Sequence, residues 1–129
     1  MAFSKSTLYS VQTILNQIFN DTDGSVTVGV QPAGASSISH GRKTVTTAGT
    51  PVPLAASATP SRRVTIVALD TNTGQIAIGG SGVVAASGAT RTGVILNAGD
   101  TYELDINDLS KVYLDATVSG EGASFAYTA

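Results

Sequence analysis

The sequence predicts a mainly β protein, with an N-terminal amphipathic helix and an extended arm followed by a β-sandwich or small barrel of jelly-roll-like form. Three observations lead there. Apolar residues recur at a helical period only near the start of the chain, and from Ser25 onward the period falls to two. Gly, Pro, Asn and Ser then punctuate the chain roughly every ten residues, the spacing of short strands in sandwiches and barrels.

The helix comes first. Leu8, Val11, Ile14, Leu15, Ile18 and Phe19 make one apolar stripe, with Gln12, Thr13, Asn16, Gln17 and Asn20 turned away from it. Ser4 or Ser6 can cap the first amides, and Asp21-Thr22-Asp23-Gly24 ends the element with a glycine able to take positive φ. A lone helix of about 14 residues is marginal in water, so the stripe must dock on its own β domain or on a neighbouring subunit. It is therefore the first candidate for subunit contact.

Residues 1–24 form the helical unit, 25–62 a strand plus extended arm, and 63–129 the β domain. The strands are expected at Val26–Val30, Lys43–Thr47, Arg63–Leu69, Gln75–Gly79, Val94–Leu96, Thr101–Ile106, Lys111–Thr117 and Ala123–Tyr127. In Val64–Leu69 both alternating sets are apolar or nearly so, which predicts a central strand covered on both faces. Residues 31–42 show neither period and read as a linker or arm. Residues 48–61 hold three of the four prolines and read as an edge segment, where proline blunts pairing. Asp70–Gly74 and Asn97–Asp100 are turns, and the stretch from Gly79 to Gly88 is too glycine-rich for a helix.

Composition narrows the function. The 129 residues are 42% hydrophobic but only 12% charged, about half the usual share of charge, and 17 Thr and 14 Ser supply the missing polarity. With no Cys and one His, neither a disulfide framework nor a thiolate or imidazole-rich metal site can be built. A net charge of −2 with few basic residues argues against nucleic acid as a partner. The absence of a long apolar run argues against a membrane span, and the N-terminus lacks a secretion signal pattern.

Each candidate chemistry lacks a part. Asp21–Gly24 has no acid where a calcium loop needs its first and last ligands. Gly80-Ser81-Gly82-Val83-Val84-Ala85 fits a loose dinucleotide pattern, but no helix follows to hold a pyrophosphate, so it reads as a flexible hairpin loop. His40, with Ser36, Ser37 and Ser39, lies in the least patterned stretch, without an orienting partner or an elbow. Asp100, Glu103, Asp105, Asp108 and Asp115 are the densest acidic group; Glu103 and Asp105 share a strand face with Thr101, opposite Tyr102, Leu104 and Ile106, and read as a solvated outer face. Four Tyr and no Trp make a poor sugar-stacking platform. No nucleophile, base and orienting group combine, so no enzyme and no cofactor are expected.

Four segments, Asn72–Val83, Gly93–Asp100, Asp108–Ala116 and Gly120–Phe125, resemble in order and spacing a β module that recurs in small virion proteins of tailed bacteriophages. The run Val11–Val28 is similar to leaders on phage head-associated proteins. The resemblance implies a virion location after assembly in the host cytoplasm, and a capsid decoration (cement) subunit bound to the major capsid protein and to itself, as a trimer, with other virion proteins as further possible neighbours. The alternative it implies is a tail or head fibre, or adaptor, used for attachment. Arg42, Lys43, Arg62 and Arg63, the two adjacent basic pairs, are the second set of contact candidates, as partners for an acidic capsid surface.

Overall fold

A computed structural model describes residues 34–129. The helical stripe from Leu8 to Phe19 and the strand expected at Val26–Val30 lie outside the described residues. What is described is mainly β. The strands are β1 (Ile38–Thr44), β2 (Val52–Pro53), β3 (Arg63–Ala68), β4 (Ile76–Gly79), β5 (Val94–Leu96), β6 (Thr101–Asp105), β7 (Tyr113–Ala116) and β8 (Gly122–Thr128), with one 3-10 turn at Leu109–Lys111.

They form two four-stranded antiparallel sheets, in the orders β1-β8-β3-β6 (sheet A) and β2-β7-β4-β5 (sheet B). Period-two alternation makes the core between them. Val64, Ile66 and Ala68 point inward from β3, Ala123 and Phe125 from β8, Ile76 and Ile78 from β4, and Leu114 and Ala116 from β7. These methyl-rich side chains bury nearly all their surface, each contributing about 1.5–3 kcal/mol for the larger ones.

Two expectations need correction. Part of the stretch taken as an arm, Ile38 onward, is strand: β1 pairs along its whole length with β8, from Ile38 opposite Thr128 to Thr44 opposite Gly122. Its pattern is hidden because its inward positions, Ser39, Gly41 and Lys43, carry no large apolar side chain. An added Cβ at Gly41 would lie 2.7 Å from Phe125 Cζ, so the ring occupies the space a side chain would need. The strands covered on both faces are β4, whose Ile76, Ala77 and Ile78 are all buried, and β7, whose Leu114, Asp115 and Ala116 are, whereas Thr65 and Val67 of β3 are only half-buried. Sheet B gains its second cover from the loop between β4 and β5. Proline does mark an edge: β2, with Pro53, flanks sheet B.

Candidate functional site

The outer faces of the two sheets are built differently. On sheet B, Val83 and Ala85 of the β4–β5 loop bury themselves on Ala77, with Ile95 and Tyr113 packed around. The loop is closed on itself by Thr92 N–H donating to the Val84 carbonyl at 3.0 Å and Val84 N–H donating to Thr92 Oγ1 at 3.0 Å. Gly93 makes the turn into β5 at φ +85°, so close to β4 that an added Cβ would meet the Ile78 carbonyl oxygen at 2.5 Å. Arg91 Nε donates to the Ala85 carbonyl at 2.9 Å, and its other end donates to Gln75.

Asp115 anchors this cover. It is 1% exposed, and its carboxylate accepts the amide of Ala85 on one oxygen and those of Gly49 and Ala116 on the other, each at 2.9 Å. The acidic group expected to be solvated is thus split: Glu103 and Asp105 do lie on an exposed face, but Asp115 is interior. A carboxylate can be buried there because backbone N–H groups satisfy it.

Sheet A carries no such cover among the described residues. Register places three rows across its outer face: Ile38–Thr128–Arg63–Asp105, His40–Ala126–Thr65–Glu103 and Arg42–Ser124–Val67–Thr101. The middle of the face is made of small side chains, and His40, Thr65, Val67, Ser124 and Ala126 border a shallow depression of about 270 Å³. The flanks are charged. Arg63 Nε donates to Asp105 at 2.8 Å, and its Nη1 lies 4.0 Å from Glu103. Hydrogen bonding and then the charge of Arg63 hold the Asp105 carboxyl below its usual range. His40 and Glu103 end the same row three strands apart, roughly 14 Å by strand spacing, beyond the reach of shared proton transfer.

A second recess, about 330 Å³, opens between the edges of β5 and β6; Ile78, Val94, Tyr102, Leu104 and Ile106 line it, with Lys111 at its border. It is a gap where the two sheets diverge.

Of the candidate contacts, Leu8, Val11, Ile14, Leu15, Ile18 and Phe19 lie outside the described residues. The fold separates the basic pairs. Arg42 and Arg63 reach the outer face of sheet A, two strands apart. Lys43, opposite Ala123, takes an inward-facing position and is half-buried. Arg62 precedes β3, where its N–H donates to Thr128 and its carbonyl accepts from Ile106. The small-residue centre was the part missed. Its signal was present in Ser124-Phe125-Ala126-Tyr127-Thr128, where every second residue is small or hydroxylated.

Among the described residues, no group of three or more His, Asp or Glu converges as a metal site would require, and no helix is long and apolar enough to cross a membrane. Comparison with protein-family models and with curated proteins gave no match to this chain.

Proposed function

We propose that the chain is a non-enzymatic structural subunit of a tailed-phage virion, a capsid decoration subunit that lies on the head surface, binds the major capsid protein and stabilises adjacent capsomers. The observation that carries this reading is the unequal treatment of the two outer faces. One is covered by the chain's own loop and locked by a buried carboxylate, while the other has no cover among the described residues and is small-grained and nearly uncharged at its centre. A centre without bulky or ionic side chains can be covered by a neighbour at little desolvation cost.

Strand order supports the reading. Every consecutive pair of strands except β4 and β5 crosses between the sheets, giving β1-β8-β3-β6 against β2-β7-β4-β5, the order of a jelly-roll sandwich, an architecture that recurs in viral capsid proteins. The low charge of the whole chain and the resemblance of its turn segments to phage virion modules agree with it.

Purified protein added to heads stripped of accessory proteins is expected to bind in many copies per head and to raise their resistance to heat. Binding of only a few copies at a single vertex would replace this reading with that of a fibre or adaptor component.

A further inference from the structure

We propose that the edge of β1 facing away from β8, which no described strand covers, joins two copies of this chain, the two β1 strands pairing antiparallel about a two-fold axis at Gly41 so that two sheets A become one continuous sheet. This goes beyond the decoration reading and does not depend on what the outer face binds.

The argument starts from the backbone groups that β8 leaves over. Ser37 and Ala129 exchange both backbone hydrogen bonds, each at 3.0 Å. In an antiparallel ladder such pairs recur at every second residue, so Ser39, Gly41 and Lys43 turn their N–H and C=O groups toward β8. Val45 continues the series, its N–H donating to Glu121 at 2.8 Å. The N–H and C=O groups of Ile38, His40, Arg42 and Thr44 therefore point away from the sheet, and no strand among the described residues covers them.

The other sheet edges offer less. β2 is two residues long and includes Pro53, which has no N–H; β5 is three residues long; β6 carries the carboxylates of Glu103 and Asp105. β1 has seven residues, unbroken pairing, no proline, and Ile38 at 74% exposure.

Self-pairing selects a register. Only one two-fold arrangement uses all four free residues of both strands: Ile38 opposite Thr44 and His40 opposite Arg42 of the second copy. Gly41 then lies on the axis in a non-hydrogen-bonded pair, where Cα atoms approach to about 4.5 Å rather than about 5.5 Å. The absence of a side chain suits this approach, because Phe125 already fills the space beneath Gly41. Moving the register two residues one way opposes Arg42 to Arg42. Moving it the other way opposes His40 to His40 and carries Thr44 past the second strand. Two Arg42 and two Lys43 side chains gather near the axis, so pairing strengthens as salt screens them, the reverse of an association held by ion pairs.

The full chain is expected to sediment as a monomer–dimer equilibrium favoured by salt. His40→Pro removes an outward N–H while leaving the β8 ladder intact, and by symmetry removes two interchain hydrogen bonds. It should weaken dimerisation by at least about tenfold, whereas His40→Ala should not. A second route does not rely on proline being tolerated. The chain has no cysteine, so His40→Cys combined with Arg42→Cys sets thiols opposite one another at a Cα separation of about 5.5 Å, within disulfide reach. Mild oxidation should then give a covalent dimer. Arg42→Cys alone should not, since its two copies lie diagonally about 7–8 Å apart. A monomer at every concentration, an oligomer indifferent to His40→Pro, or equal cross-linking of the single and double variants would overturn the proposal. Slow exchange of the His40 and Arg42 amides in a monomer would overturn it too, by assigning the edge to the chain's own residues.

Discussion

The two outer faces of the sandwich start from similar strands and end in opposite conditions. On sheet B, Ala77 is flanked by Ile95 and Asp115 and disappears under the β4–β5 loop. On sheet A the corresponding central positions, Ala126 and Thr65, remain half-buried and uncovered by any described residue. Side-chain size alone does not explain the difference, since both centres are small. The cover depends on Asp115, whose carboxylate gives the loop amide at Ala85 and the Gly49 amide a common acceptor inside the fold. No side chain on sheet A plays that part; its carboxylates, Glu103 and Asp105, are engaged by Arg63 on the surface. A covered face therefore contributes stability, and on the proposed reading the other is kept for contact.

Matched substitutions can break that contrast. Val83→Asp puts a carboxylate into the covered cluster close to Asp115, and is expected to cost about 3–5 kcal/mol in urea unfolding or to detach the loop. Asp115→Ala leaves the Ala85 and Gly49 amides without their acceptor. About 3 kcal/mol should be lost, with accelerated hydrogen exchange at those two amides as the local signature.

Acid sharpens the comparison at a third site. Burial pushes the Glu121 carboxyl up, but the amides of Thr73 and Gly74 and the Thr73 hydroxyl together outweigh it, so the group stays below its usual range. Asp108 is held low by the Thr59 and Ser110 amides and the Ser110 hydroxyl, then by the charge of Lys111. A carboxyl with a depressed folded-state pKa contributes stability that is present in full above its unfolded value. That contribution is lost as the pH falls below about 4. Urea midpoints measured from neutral pH down to about pH 3 should therefore drop, and Glu121→Gln should flatten part of the drop. The smallest effect on stability belongs to Val67→Asp, the open-face counterpart of Val83→Asp. Unfolding free energy should change by about 1 kcal/mol or less while binding to heads is lost.

The sequence carried most of the strands because their inner positions are large and apolar. Tyr102 and Leu104 in β6 alternate with polar neighbours, and Val64, Ile66 and Ala68 in β3 alternate with Arg63, Thr65 and Val67, so their outward partners follow automatically. β1 could not be read this way, since its inward positions are Ser39, Gly41 and Lys43, and Gly41 is small only because Phe125 fills the space beneath it. That is a long-range fact with no local trace. Asp115 was hidden for a similar reason: an isolated acid between Leu114 and Ala116 looks like an outward position until a loop 30 residues away supplies its cover. The open face fell between the two cases. Its alternation in β8 was visible, but its width required knowing that β1, β8, β3 and β6 are neighbours.

Those neighbours also set an order of events. β8 is the last of the eight described strands in chain order, yet it lies between β1 and β3 in the middle of sheet A. Until Gly122–Thr128 has left the ribosome, β1 has no strand to pair with, and β3 has only β6. Sheet A is thus completed only once β8 has emerged, by insertion of one strand between two made earlier. Such sequence-distant closure is slow compared with local helix or hairpin formation. Over that interval the nascent chain exposes the inner face of β3, and the cell must keep it from finding another edge to join.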